Sequence, residues 1–374
     1  MSKKLHVSSQ GAGTPFSYDI FITDGFRELE ALLGPVLKDG HPSDNLRKAA
    51  LLSDSNVYKL YGKDIEDILV RMGVSFSSFV FPAGEENKSL DTVQDVYEFL
   101  INGRFERRDV CIALGGGVVG DLTGFAAATY LRGISFVQIP TSLLAQTDSS
   151  IGGKTGVDFR RYKNMVGAFH QPLLCYMNMS ALDTLDRRQF LSGLGEIIKA
   201  ALIKDKGFYE WLKLHSEKID ALDKNVLEDM IYRACEIKRD VVVSDPLEKG
   251  ERALLNFGHT LGHAVERCAG FTLFHGECVV LGMIAALFIS MQRGYISEGE
   301  YCDVRETFER FGYTMKVPQN LGISKKDILE TVKSDKKAES GVVKFILLED
   351  IGNALIKKDV SREEMEGALE VIMN

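Results

Sequence analysis

The sequence lacks the features that mark secreted and membrane-spanning proteins. Its six cysteines include no CxxC pair, and we interpret them as scattered reduced thiols of a cytoplasmic protein. The N-terminal stretch MSKKLHVSSQGAG has no apolar signal core. The longest apolar run, 279–291, contains a serine and is too short to cross a bilayer, so a buried helix is expected there.

An excess of positive charge is also missing. The formal net charge is −8 at pH 7, which argues against nucleic acid or an anionic membrane as the main partner. If the substrate is a small anion, the cations that hold it must be local, which draws attention to Lys154 and Lys163. At 374 residues the chain is long for a single core, so we expect two domains.

Short apolar runs alternate with helical segments in the first half of the chain, an order typical of a parallel α/β sheet. After about residue 180 the pattern becomes mostly helical. We therefore predict an α/β domain over residues 1–180 and a mainly helical domain over residues 181–374. The predicted strands are 18–22, 48–52, 79–81, 110–114, 135–139 and 342–348, and the predicted helices are 91–102, 121–130, 187–203, 226–243, 259–268, 277–291 and 297–311.

A glycine-rich turn follows the predicted strand 110–114. Gly115, Gly117 and Gly120 satisfy GxGxxG between a strand and a helix, where glycine permits a tight turn and close approach of a diphosphate to the helix N-terminus. No acidic residue follows at about twenty residues, as the usual fingerprint requires. Asp54, just past an earlier strand, is instead the candidate for a ribose hydroxyl. We interpret the turn as a dinucleotide site, with a plain strand-to-helix turn as the alternative.

The segment DSSIGGKTGVDFRRYKNMVGAFH, residues 148–170, contains Gly-Lys-Thr but is not a P-loop. A P-loop requires a glycine five positions before this tripeptide. That position is Asp148, whose carboxylate would repel phosphates. With Lys154, Arg160, Arg161 and Lys163, the segment is predicted to be a flexible basic loop that either binds an anion or is simply solvated.

Three of the seven histidines lie close together in the sequence, at His259, His263 and His275. The first two are four residues apart, so they share one helix face about 6 Å apart. Upstream, Glu196 and Lys199 are neighbours on the flank of another predicted helix. A glutamate and two histidines form a catalytic zinc set that leaves room for substrate. The spacing does not determine which two histidines bind a metal, and ordinary helix positions are the alternative.

The longer motifs resemble those of the 3-dehydroquinate synthase family. They are GGGVVGDLTGFAAATYLRG, FVQIPTSLLAQTDSSIGGKTGV, KNMVGAFHQP, GLGEIIK, EKGERALLNFGHTLGHAVE and HGECVVLGM, and the resemblance extends from Asp54 to the DKK at 335–337. It implies a Rossmann-like NAD-binding first domain and a mainly helical second domain that binds metal and substrate. It also implies NAD as cofactor, a divalent metal that is zinc or cobalt, and a homodimer.

The resemblance implies a role for individual residues. The implied metal ligands are Glu196, His259 and His275. The implied substrate-pocket residues are Asp148, Lys154, Lys163, Asn164, Lys199, Lys238, Glu248, Arg252, Asn256, His263, one of Lys336 and Lys337, and Arg132, which would act across the dimer interface. The implied cofactor contacts are Asp54, Asn56, Glu85, Lys88, Gly115, Gly116, Gly117, Val118, Gly120, Asp121, Thr141, Ser142, Lys154, Lys163 and Thr184. Tyr162 departs from the family, in which a glycine commonly precedes the Lys-Asn pair.

The activity implied by the resemblance is a carbon–oxygen lyase reaction of the shikimate pathway of aromatic amino acid biosynthesis. It converts a small sugar phosphate, 3-deoxy-D-arabino-heptulosonate 7-phosphate, into 3-dehydroquinate and phosphate, and it regenerates NAD in each turnover. Three alternatives remain. They are another sugar-phosphate cyclase (a 2-deoxy-scyllo-inosose, 2-epi-5-epi-valiolone or aminodehydroquinate synthase), a metal-dependent polyol dehydrogenase, and a non-catalytic NAD-binding scaffold.

Overall fold

The computed structural model describes residues 2–10, 15–38, 46–160, 162–338 and 343–373. Arg161 and the side chains of Lys336 and Lys337 lie outside the described part of the chain. The chain divides into two compact units. The first comprises Met1–Leu185 and Lys238–Pro246, and the second comprises Asp186–Ile237 and Leu247–Asn374.

The first unit is built on a seven-stranded sheet with the order β1-β2-β9-β6-β5-β3-β4. Only β1 and β2 pair in antiparallel fashion, and the other neighbouring strands are parallel. The strands are β1 (Lys3–Ser9), β2 (Phe16–Thr23), β3 (Ala49–Asp54), β4 (Phe76–Phe81), β5 (Val110–Gly115), β6 (Ser135–Pro140) and β9 (Leu174–Asn178). A separate antiparallel hairpin is formed by β7 (Lys154–Phe159) and β8 (Tyr162–Phe169).

The buried apolar residues of the first unit form two hydrophobic clusters. Each cluster combines residues of the sheet with residues of the helices. Every residue of β5 is buried, as expected for a parallel strand covered on both faces. Ser89 begins the fourth helix as its N-cap, because its hydroxyl accepts from the N–H of Thr92. The helices are α1 (Leu29–Lys38), α2 (Ser55–Val57), α3 (Lys63–Arg71), α4 (Leu90–Asn102) and α5 (Gly117–Thr129).

The second unit is mainly helical. Its helices are α6 (Arg187–Lys204), α7 (Lys206–Leu214), α8 (Ser216–Asp220), α9 (Lys224–Ser244, whose last residues belong to the first unit), α10 (His259–Cys268), α11 (His275–Gln292), α12 (Glu298–Phe311), α13 (Lys325–Ala338) and α14 (Arg362–Met373). Strands β10 (Phe345–Asp350) and β11 (Asn353–Lys357) form an antiparallel pair. Helix α11 is long and apolar enough to cross a membrane, but 72% of it is buried, which is typical of a core helix.

The predicted fold class, a parallel α/β domain followed by a mainly helical domain, is confirmed. The prediction of a flexible loop over residues 148–170 is wrong, because most of that segment is the β7–β8 hairpin. Strands β1, β9 and β11 were also not predicted. The predicted strand 342–348 begins later, at Phe345, and Val342 lies outside the described residues.

Glycines allow three helices of the second unit to pack with their backbones in contact. A Cβ on Gly282 of α11 would overlap the carbonyl oxygen of Gly258 and lie 2.7 Å from the N atom of Gly262 in α10. A Cβ on Gly276 of α11 would lie 2.5 Å from the Cα of Ser192 in α6. Helix α11 therefore approaches both α6 and α10 more closely than side chains at these positions would permit.

Substituting Gly282→Ala is expected to destabilise the protein by about 1–3 kcal/mol or more, because the new methyl group must displace the backbone of α10. The matched control is Gly299→Ala in α12, where the nearest atom to the added Cβ is 3.8 Å away. That change is expected to be neutral or stabilising by up to about 1 kcal/mol, since alanine favours the helix. Urea denaturation midpoints measure both, and an unchanged midpoint for Gly282→Ala would contradict the packing described here.

Candidate functional site

The carboxyl ends of three neighbouring strands meet at one edge of the sheet in the first unit. β3 ends at Asp54, β5 at Gly115 and β6 at Pro140, and these strands are parallel and in register. β4 lies beside β3 on one side, and β5, the next strand of the sheet along the chain, lies beside β3 on the other side. The strand order therefore reverses between β3 and β5. Open parallel sheets bind ligands outside such a reversal. This edge is therefore the candidate nucleotide site.

The glycine turn at this edge suits a phosphate group. Gly116 occupies the cap position of α5 and has no side chain to accept hydrogen bonds from the first-turn N–H groups of Val118 and Val119. Those N–H groups are therefore available to an anion at the positive end of the helix dipole. A Cβ on Gly120 would lie 2.9 Å from Oε1 of Gln138 in β6, so this glycine permits close helix–sheet packing.

Asp54 has a structural task at the same edge. Its Oδ1 accepts hydrogen bonds from the N–H groups of Asn56 and Val57, at 2.8 and 3.0 Å, and so caps the short helix α2. The second oxygen, Oδ2, has no partner among the described residues. The carboxylate is thus held in place by one oxygen and can offer the other to a hydroxyl group.

Two further cofactor candidates follow β6. The N–H of Thr141 donates to the carbonyl of Gly115 at 3.0 Å, which joins the ends of β5 and β6. Ser142 caps the helical turn that follows, since its Oγ accepts from the N–H of Ala145 at 3.2 Å. Thr184, the last candidate in the chain, bonds through Oγ1 to the hydroxyl of Tyr61 at 2.5 Å.

Five predicted residues of the first unit form one polar cluster. Nζ of Lys88 donates to Oδ2 of Asp121 and to Oδ1 of Asn164, both at 2.6 Å. Nζ of Lys163 lies 3.4 Å from Oε1 of Glu85. Burial lowers the pKa of Lys88, but the negative charges of Asp121 and Glu85 outweigh this effect. The pKa of Lys88 is therefore raised. The cluster therefore holds a permanent cation that links α5 to the hairpin.

The other predicted residues of the first unit lie on separate elements. Lys238 forms an ion pair with Asp148, which lies in the helical turn after β6. Lys154 is the first residue of β7 and is exposed. Arg132 follows α5 with a φ of 70°, and it lines a surface groove together with His170.

In the second unit, the predicted metal ligands converge. Oε1 of the buried Glu196 lies 3.5 Å from Nε2 of His275 and 3.8 Å from Nε2 of His259. The nearest ring nitrogens of these histidines and of His263 lie within 4.8 Å of one another. The four side chains come from α6, α10 and α11, the helices that pack through glycines.

In His259 and His275, the ring nitrogen that does not face Glu196 has its own hydrogen-bond acceptor. Nδ1 of His259 lies 3.1 Å from the carbonyl of Phe257, and Nδ1 of His275 lies 3.4 Å from Oε2 of Glu266. Hydrogen bonds at Nδ1 leave the lone pair on Nε2, the nitrogen that faces Glu196. Both rings are therefore arranged as metal ligands.

The geometry fits a divalent metal. Oxygen and nitrogen ligands of tetrahedral zinc lie about 2.0–2.2 Å from the ion and hence about 3.3–3.6 Å from one another. The separations of Glu196 from His275 and His259 are close to this range. Oε1 of Glu196 is also buried without a hydrogen-bond partner among the described residues. An uncompensated buried carboxylate oxygen is costly, and a metal would satisfy it.

The protonation states favour the same interpretation. Burial raises the pKa of Glu196, but the Lys199 ammonium, which bonds to Oε2, and His275 together hold it below its usual value. Burial and the charge of Lys199 hold the pKa of His259 well below its usual value. Burial also opposes protonation of His275, but the neighbouring carboxylates of Glu196 and Glu266 raise its pKa to about 9. The cluster thus combines an ionised carboxylate with a neutral imidazole at His259, and two carboxylates favour a positive charge at His275.

Three more predicted residues of the second unit lie in the segment before α10. Nδ2 of Asn256 donates to Oε1 of Glu248 at 3.0 Å. Glu248 has a φ of 55°, an uncommon backbone conformation for this residue type. Arg252 is almost fully buried, with 2% of its surface exposed.

The structure also reveals contacts that the sequence did not predict. Arg188 at the start of α6 donates two hydrogen bonds to Glu277, which in turn accepts from the N–H of Phe274 and caps α11. This contact fixes the helix end that carries His275. Glu266 lies seven residues, or two helical turns, after His259 in α10. This spacing indicates that Glu266 and His259 lie on the same face of the helix.

Solved structures with the same architecture include two cyclases and, at lower TM-scores, dehydrogenases such as a butanol dehydrogenase from Thermotoga maritima (TM-score 0.69). A 2-epi-5-epi-valiolone synthase from Streptomyces hygroscopicus, described with NAD+ and Zn2+ bound, is 30% identical, with a TM-score of 0.86 over 96% of this chain and 98% of that one. A 2-deoxy-scyllo-inosose synthase at 23% identity shares the fold, with a TM-score of 0.83 over 99% and 100% of the two chains.

Family models and curated relatives are more specific. The models for the 3-dehydroquinate synthase N-terminal and C-terminal regions match residues 78–192 and 193–338. The 3-dehydroquinate synthase of Symbiobacterium thermophilum is 42% identical over 95% of this chain and 98% of its own length. That of Pelobacter propionicus is 44% identical over 91% and 92%. The chain belongs to the 3-dehydroquinate synthase family.

Substituting Glu196→Gln is expected to weaken zinc binding by more than about 100-fold, because a charged ligand atom is removed. Loss of a residue that only hydrogen-bonds to a ligand typically costs about 10–100-fold. The matched change His263→Ala, in the same cluster, is expected to weaken it less. Competition with a fluorescent chelator measures both. Equal losses for the two variants would contradict the choice of ligands.

Proposed function

We propose that the protein is a 3-dehydroquinate synthase that converts 3-deoxy-D-arabino-heptulosonate 7-phosphate into 3-dehydroquinate and phosphate. The observation that carries this proposal is the convergence of Glu196, His259 and His275 in a chain of this family. The glycine turn at the strand-order reversal supports NAD as the cofactor. The six free cysteines favour a reducing compartment, and we propose the cytoplasm.

NAD+ would be held at the sheet edge and a divalent metal by Glu196, His259 and His275, supplying a reversible hydride acceptor and a Lewis acid. In the proposed reaction a substrate hydroxyl carbon becomes a ketone for part of the cycle. The ketone acidifies the neighbouring C–H bond, and the phosphate leaves by elimination. After the ketone is reduced again, the ring opens and an intramolecular aldol step closes the carbocycle.

The side chains of this chain mainly bind and orient the substrate. Lys154, Lys163 and Lys238 would hold anionic groups, and the buried Arg252 adds a further cation. Asn256, already oriented by Glu248, can donate a hydrogen bond to an oxygen of the substrate. Fixed charges of this kind contribute most where negative charge develops, and removing one typically costs about 10²–10³ in rate.

His263 and Lys199 have separate proposed parts. His263 is exposed beside the two ligand histidines, so it can exchange a proton with a substrate oxygen. Lys199 is buried and keeps Glu196 ionised through Oε2, so that Oε1 remains directed at the histidines. These roles require no movement of the ligand-bearing helices.

Purified protein supplied with zinc and NAD+ is expected to release phosphate from the heptulosonate phosphate without net formation of NADH, because the hydride is returned. A chelator should abolish release, and added zinc or cobalt should restore it. Phosphate assay and absorbance at 340 nm measure the two quantities together. Stoichiometric NADH would indicate a polyol dehydrogenase, and turnover of a different sugar phosphate alone would indicate another cyclase.

We also propose that the protein acts as a homodimer through the surface around Arg132. Leu131 and Arg132 both have left-handed backbone conformations, with φ of 51° and 70°. Apolar side chains are exposed nearby and along β8, with Phe169 51% and Met165 61% exposed. Phe169 lines the same groove as Arg132. Large apolar side chains exposed on one strand and beside the groove support association through this surface.

Substituting Met165→Asp is expected to shift the protein from dimer to monomer, because a carboxylate would be desolvated in the contact. Leu214→Asp is the matched control, since Leu214 is 82% exposed in α7 of the other unit. Analytical ultracentrifugation at several concentrations measures the change. A parent protein that stays monomeric, or a Met165→Asp variant that stays dimeric, would overturn the proposed contact.

A further inference from the structure

Glu266 is a buried carboxylate beside the metal cluster that has no part in the function proposed above. It lies in α10, with 3% of its surface exposed. Its Oε2 is 3.4 Å from Nδ1 of His275, the first residue of α11. A charged side chain is rarely buried to this extent unless it is paired. The partner in this case is one of the candidate ligands.

The contact is on the far side of the imidazole from Glu196. Nδ1 of His275 faces Glu266, and Nε2 lies 3.5 Å from Oε1 of Glu196. Because the two ring nitrogens point in different directions, Glu266 cannot share a cation with Nε2. It acts on the ring and not directly on the metal.

We propose that Glu266 is a positioning residue, which accepts a hydrogen bond from Nδ1 of His275 and thereby presents Nε2 of that ring to the metal. A carboxylate at Nδ1 fixes the tautomer and the ring orientation, and it makes the other nitrogen a stronger donor. His259 has only a neutral carbonyl, that of Phe257, at the same position. The two histidines are therefore unequal ligands, and His275 is the stronger donor.

The backbone of His275 is secured independently of Glu266. Glu277 caps α11 by accepting from the N–H of Phe274 at 2.8 Å, and Arg188 holds Glu277 with hydrogen bonds of 2.5 and 2.7 Å. Loss of the Glu266 carboxylate therefore leaves the first turn of α11 in place. The expected effect is on the ring of His275 and not on the helix.

The inference rests on the metal centre of the proposed function, and the experiment separates the two. The main variant is Glu266→Gln, which keeps the size and a neutral acceptor but removes the charge. Glu306→Gln, an exposed carboxylate on α12, controls for loss of one negative charge. Each full-length protein is titrated with zinc against a chelator, loaded with cobalt for its visible d–d spectrum, and melted without metal.

Glu266→Gln is expected to weaken zinc binding about 10–100-fold and to change the cobalt spectrum, while the melting temperature of the metal-free protein stays near that of the parent. Glu266→Asp should recover part of the affinity, because it restores the charge. Glu306→Gln should match the parent in all three measurements.

Three results would overturn the inference. Unchanged zinc affinity in Glu266→Gln, with a clear loss in Glu196→Gln, would reject the positioning role and leave the metal centre intact. A parent protein that binds no zinc would reject the metal centre and the positioning role together. A metal-free Glu266→Gln protein that melts well below the parent would assign Glu266 a purely structural role.

Discussion

Backbone contact between three helices determines the candidate metal site. Glu196 belongs to α6, and His259 and His275 belong to α10 and α11, so no local pattern brings them together. Gly276 and Gly282 of α11 remove the side chains that would separate these helices. With the helices held this close, the ligand atoms lie 3.5 and 3.8 Å apart, and Lys199 and Glu266 contact two of the ligand side chains. Rigid elements of this kind are what a precise metal geometry requires.

The same packing buries a charged carboxylate in the interior, which is energetically unfavourable unless the charge is compensated. Glu196 is buried, and one of its oxygens has no hydrogen-bond partner among the described residues. Burial of an ion is tolerated when other charges compensate it, and Lys199 and His275 do so here. The arrangement keeps a carboxylate ionised and one oxygen available. It is therefore suited to binding a cation and poorly suited to maximal stability, as is common at functional sites.

The sequence was most informative where local rules decide the structure. The strand before Gly115 and the helix after it were predicted, since apolar residues and glycines mark both. The β7–β8 hairpin was missed because the segment alternates poorly, and Lys163 and Asn164 resemble loop residues. The sequence spacing of the three histidines did not determine which two of them bind a metal. Likewise, the contact of Glu266 with His275 depends on how two helices cross, which no sequence period encodes.

Lys88 connects two parts of the first unit that have different proposed ligands. It bonds at once to Asp121 in the helix behind the glycine turn and to Asn164 in the hairpin. Asn164 itself adopts a left-handed backbone, with a φ of 53°, and its N–H donates to Oδ1 of Asp158 at 2.8 Å. The ammonium of Lys88 is therefore shared by the helix behind the glycine turn and by the hairpin. Movement of either element would break a hydrogen bond of the same buried ammonium, so the positions of the helix and the hairpin depend on each other.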